Sequence, residues 1–130
     1  MKDGFLKSAA VSPSIKVADC EYNTGEIIKA IDEASKKDVS LLTLPELAIT
    51  SYSCEDLFLQ DILLDSAKKS LVKIALATKG KNIVVVVGFP VTVDGKLYNA
   101  AAVTTDGEIL GIVPKSFIPN YTEFYEGRRF

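Results

Sequence analysis

Apolar residues along this chain fall into two rhythms. Runs without polar alternation at Phe5–Val11, Val39–Leu44 and Ile83–Phe89 read as strands. The first, ending before Pro13, reads as largely buried, and the third, with four consecutive valines, reads as a central strand covered on both faces. Between the first two, Ile27, Ile28, Ala30, Ile31 and Ala34 recur at helical spacing, behind a start at Asn23-Thr24-Gly25-Glu26 and ahead of the basic last turn Lys36-Lys37. Strand, helix and strand at this spacing predict a right-handed βαβ unit with parallel pairing. Further on, Ser53 is in place to cap a helix from Glu55 to Gln60, with Asp56 as a weaker capping-box partner. Ser66–Lys79 continues or restarts that helix with Ala67, Leu71, Ile74, Ala75 and Thr78 on one side, and Gly80 ends it. Val91–Val103 then reads as a hairpin on Asp94-Gly95, and a turn at Thr105-Asp106-Gly107 leads into the strand Glu108–Val113. The expected class is α/β with a mixed sheet, parallel first and antiparallel later.

Composition narrows this to one domain, residues 1–130, since the length allows one core and the 48% hydrophobic content supplies it. A net charge of −2 offers no basic field for a phosphate backbone, so no nucleic-acid partner is expected. The N-terminus lacks the pattern of a secretory signal, and the longest apolar run is far short of the roughly 18 residues of a membrane span, so the expectation is no membrane partner and a cytoplasmic location. Cys20 and Cys54 form no CxxC pair and histidine is absent, so the common zinc spacings cannot be built and no metal is expected. Without histidine, a hydrolytic base has to be a carboxylate, a lysine or a tyrosine.

Two charges stand where such chemistry would be placed. Glu46 follows the strand Val39–Leu44 across Pro45, at the carboxyl end where open α/β sheets bind ligands. Lys115 follows Glu108–Val113 across Pro114 in the same way, and the two would share one rim if their strands run parallel. On the residues alone each has a plainer reading, Glu46 as a solvated loop acid and Lys115 as a surface lysine beside a turn. The aromatic, charged tail Tyr121–Phe130 reads either as a pocket wall or as an interface strip.

Three segments together, Leu44-Pro45-Glu46-Leu47, Thr50-Ser51-Tyr52-Ser53-Cys54-Glu55-Asp56-Leu57-Phe58, and Pro114-Lys115 through Pro119-Asn120-Tyr121-Thr122-Glu123-Phe124-Tyr125-Glu126, resemble the nitrilase (carbon–nitrogen hydrolase) superfamily. Within it they look most like the branch that forms the N-terminal glutaminase domain of glutamine-dependent NAD synthetase. The resemblance covers essentially the whole chain. It implies a nitrilase-like α-β-β-α sandwich, incomplete at its C-terminus, and a Glu–Lys–Cys triad whose first two members fall on Glu46 and Lys115. In that scheme Glu46 takes the thiol proton, Lys115 stabilises the oxyanion, and the thiolate attacks the side-chain amide of glutamine. Tyr52 and Tyr121 match positions that shape the glutamine pocket, and Glu126 matches a second acid beside the triad.

The family's nucleophilic cysteine lies past the lysine motif, and this chain ends before reaching it. Cys54 is expected to be structural, although the first turn of a helix would lower its thiol pKa. The fragment alone is therefore expected to be inactive. No cofactor is implied in this domain, ATP and Mg belonging to the synthetase domain of the parent. The implied partners are glutamine, that synthetase domain and further copies of the chain. Two other readings stay open, a carbon–nitrogen hydrolase acting on another amide or nitrile, and a non-catalytic assembly module.

Overall fold

The computed structural model describes residues 3–118 and 130. Five strands, β1 (Ser8–Ala10), β2 (Leu41–Thr43), β3 (Val84–Val93), β4 (Lys96–Thr105) and β5 (Glu108–Pro114), form one sheet in chain order. Pairing is parallel from β1 to β3 and antiparallel from β3 to β5. Helices α1 (Cys20–Lys36) and α2 (Asp61–Ala77) make the two parallel crossovers. Because both crossovers step the same way along the sheet, right-handed connections put both helices on one face, where they pack against each other.

The hydrophobic core lies between that face and the helices. Leu42, Val85, Val87, Phe89, Ala100 and Ala102 point into it from the sheet, and Ile27, Ile31, Leu71 and Ile74 meet them from the helices. The alternate positions face the other way. Val84 and Val86 are half-buried while Val85 and Val87 are fully buried. The run of valines is thus covered by helices on one face, not on both as expected.

Three other expectations are corrected. The first strand is three residues long and lies at the sheet edge with β2 as its neighbour, so Phe5 and Leu6 are exposed instead of buried. Helix α1 begins earlier than Asn23: Asp19 caps it by accepting the Tyr22 N–H at 3.0 Å. The Glu55–Gln60 segment is not α-helical. Tyr52–Leu59 forms 3-10 turns broken by a left-handed Glu55 (φ 51°), a conformation that stops an α-helix from propagating. Here Ser51, not Ser53, supplies the cap, accepting the Ser53 N–H at 3.2 Å. The two tight turns do have the expected chemistry, with positive φ at Asp94 and Gly95 and again at Asp106 and Gly107, the geometry of a type I′ hairpin.

Asn23 has a different task from starting a helix. Fully buried, it accepts the Lys16 N–H at 2.7 Å and donates to the carbonyls of Lys16 (2.8 Å) and Ile49 (2.9 Å). Its amide thereby joins the segment before α1 to the chain just past Glu46. Asn23→Ala leaves these backbone groups unpaired in a buried place, and a loss of about 2–4 kcal/mol in urea-unfolding stability is expected.

Both cysteines sit in this core. Burial, helped by the nearby Cys54 and Asp19, pushes the Cys20 thiol from 9.0 up to about 11. The folded chain therefore keeps a proton that the unfolded chain releases. Its contribution to stability is complete below about pH 9 and is lost as the pH rises toward about 11. Urea titrations across that range should show a steeper alkaline decline for the wild type than for Cys20→Ala.

Candidate active site

The site begins where β2 ends. Leu44 N–H still donates to the Val86 carbonyl at 2.9 Å, and Pro45 then turns the chain over β3. Leu47 is left-handed (φ 52°), and Leu47, Ala48, Ile49 and Thr50 are buried, so the segment after Glu46 is a plug in the core instead of a solvated loop. Ile49 N–H donates to the Gly88 carbonyl at 3.3 Å, and Ala18 N–H donates to the Thr50 carbonyl at 2.8 Å.

At Gly88 the two main chains nearly touch. A Cβ there would lie 2.4 Å from Leu47 N, 2.7 Å from the Pro45 oxygen and 2.9 Å from the Glu46 carbonyl carbon. These neighbours are backbone atoms with no flexible end to swing aside. Glycine is needed for space, and its absence of a side chain is what lets Glu46 sit this close to the sheet.

Lys115 arrives from the other side. β5 is antiparallel to β4, which is antiparallel to β3, so β5 runs parallel to β2 and both strands end on one rim. Lys115 N–H donates to the Asn99 carbonyl at 2.7 Å, carrying the β4–β5 pairing one residue past Pro114. Its Nζ then lies 2.6 Å from Glu46 Oε1. The same oxygen accepts from Asn99 Nδ2 at 2.5 Å. The structure thus brings together the two charges singled out from the sequence and adds a third, buried group, Asn99, which sequence reasoning missed.

These three residues border an open cleft of about 430 Å³ on the helix-free side of the sheet, walled by Val86, Gly88 and Val113. Tyr52 opens the 3-10 turns, is 37% exposed, and is not among the residues lining this cleft. Tyr121 and Glu126 lie outside the described residues. Cys54 is buried, donates its S–H to the Thr50 carbonyl at 2.9 Å, and lies away from the cleft lining. Burial raises its thiol pKa, against the lowering expected of a helix first turn, because desolvation outweighs the Ala18 N–H and Thr50 contacts. Among the described residues no group of three or more carboxylates or thiols could hold a metal.

The pair of Glu46 and Lys115 offers a proton acceptor and a fixed positive charge within one hydrogen bond of each other. That is equipment for taking a proton from a nucleophile and for meeting negative charge that develops on a carbonyl oxygen. Its geometry hangs on residue 88. Gly88→Ala should push the Pro45–Leu47 backbone off the sheet, cost about 1–3 kcal/mol in urea unfolding, and separate Glu46 from Lys115 in a crystal structure of the variant.

A carbon–nitrogen hydrolase family model matches residues 7–127. The glutamine-dependent NAD(+) synthetase of Aquifex aeolicus is 42% identical over 114 residues, which are 88% of this chain and 20% of that protein. The crystal structure of a glutamine-dependent NAD(+) synthetase from Cytophaga hutchinsonii superposes with a TM-score of 0.91 at 34% identity, over 96% of this chain and 21% of that one. An amidase from Nesterenkonia sp. shares the fold at a TM-score of 0.74 and 22% identity, over 94% of this chain and 46% of that one. The chain spans about a fifth of the length of the curated synthetases it matches. With nearly its whole length inside the family match, the chain belongs to the carbon–nitrogen hydrolase family.

Proposed function

We propose that this chain is the N-terminal part of the glutamine amidohydrolase domain of a glutamine-dependent NAD synthetase. The observation that carries the reading is the contact of Glu46 with Lys115 at the cleft, inside a stretch that is similar to synthetases over nearly its whole length. In this reading Glu46 takes the proton of a cysteine thiol supplied by chain beyond residue 130. The thiolate adds to the side-chain carbonyl carbon of glutamine, and the oxygen, now negative, is stabilised beside Lys115. Collapse of the intermediate breaks the C–N bond; the nitrogen leaves as ammonia with the proton returned by Glu46, and a thioester remains. Water, losing its proton to Glu46, then adds to the thioester to release glutamate and the thiol.

The family resemblance assigns Tyr52, which stands outside the cleft lining described above, and Tyr121 to the glutamine pocket, and Glu126 to the role of second acid. The ammonia goes to deamido-NAD in a synthetase domain that holds ATP and Mg. The protein is cytoplasmic and assembles as a homo-oligomer. No helix among the described residues is long and apolar enough to cross a membrane.

The fragment by itself turns over no glutamine in this reading, because base and charge without a nucleophile form no covalent intermediate. An ammonia-release assay should be silent for the 130-residue chain and active for a version extended through the downstream cysteine. In the extended version Glu46→Gln should lower kcat by about 10²–10⁴-fold. Activity in the short chain that vanishes in Cys54→Ala would overturn the reading.

A further inference from the structure

We infer that Asn99 is the positioning residue for the Glu46 base: its side-chain amide and the Lys115 ammonium both bind Oε1, which leaves Oε2 as the oxygen that takes the proton. The inference rests on the role of Glu46 given above and concerns how that carboxylate is aimed.

A glutamate carboxylate turns freely about its last torsion, whose energy profile is broad and two-fold. Lysine alone does not fix it. An ammonium on a four-carbon stem supplies charge through three rotatable donors and follows the carboxylate wherever it turns. Asn99 is different in three respects. Its amide is planar and short, and the residue is 4% exposed, so the N–H that meets Glu46 is held in one direction by the backbone that carries it. Its backbone sits inside the β3–β4 ladder, opposite Pro90. Its carbonyl accepts the Lys115 N–H at 2.7 Å while its Nδ2 reaches Glu46 at 2.5 Å. One residue therefore sets both partners, the main chain of the lysine and the side chain of the acid. With both donors on Oε1, the two oxygens of Glu46 are no longer equivalent, and proton transfer is directed to Oε2.

The test uses the full-length protein that carries this chain, with glutamine as substrate. Asn99→Leu keeps similar volume without a donor, and Asn99→Asp keeps the shape but replaces the donor with an acceptor. Each should lower kcat about 10- to 100-fold, the scale of one hydrogen bond to a charged group, and leave KM nearly unchanged. A residue that only fills space would change the melting temperature and not kcat. A residue that holds substrate would raise KM instead. Either result overturns the inference.

An independent arm reads the contact itself in the 130-residue chain by NMR. The Asn99 side-chain amide protons should exchange slowly and should shift in Glu46→Ala; an unmoved resonance also overturns the inference. Because this signal needs no substrate, absence of glutamine hydrolysis in the wild-type full-length protein would sink the glutaminase reading alone.

Discussion

Strand β3 passes under the Pro45–Leu47 backbone at residue 88 with no room for a methyl group between the two chains. That contact fixes the height of Glu46 above the sheet. It is reinforced from three directions: Leu44 continues the β2–β3 pairing, Ile49 bonds the Gly88 carbonyl, and Asn23 and Ala18 hold Ile49 and Thr50 from the side of α1. The buried run Leu47–Thr50 then makes the turn part of the core. A carboxylate on such a support loses little further freedom when it acts, which is the physical sense of a preorganised site.

The sheet has two unlike faces, and the division explains where the cleft lies. Residues directed to α1 and α2 are close-packed, whereas Val84, Val86, Ala101 and Val103 on the other face are half-buried and Val113 is 61% exposed. Glu46, Asn99 and Lys115 meet at the rim of this second face. Their charge therefore stands beside an apolar floor, an arrangement suited to a ligand with a polar reacting end.

Much of this was legible in the chain because it depends on local rules. Apolar runs ended by prolines marked Glu46 and Lys115 as strand-end charges, and chain direction put them on one rim. The Asp-Gly pairs gave the two hairpin turns. What was not legible depends on contacts between segments distant in sequence. Gly88 reads as one more small residue in an apolar run, and its necessity comes from a turn that precedes it by a whole helix. Asn99 reads as an ordinary hairpin asparagine until pairing with β3 and β5 aims it at Glu46. Asp19 and Asn23 are both good caps, as are Ser51 and Ser53; Asp19 and Ser51 take the capping role, and Asn23 instead bonds Lys16 and Ile49. The left-handed Glu55 has no local signal at all.

The site pairs a carboxylate with a separate cation. An imidazole can both accept a proton and carry positive charge, while a carboxylate does only the first, so a carboxylate base works best with a separate cation kept close. Lys115 at 2.6 Å from Glu46 meets that need. Two flexible side chains, however, define an interaction energy and not an orientation, and acid–base catalysis is sensitive to orientation. The buried amide of Asn99 supplies the missing constraint at the cost of one polar group placed under the sheet rim. Base and cation follow the ends of β2 and β5 and the amide stands within β4, so this geometry exists only once these three strands have taken their places in one sheet.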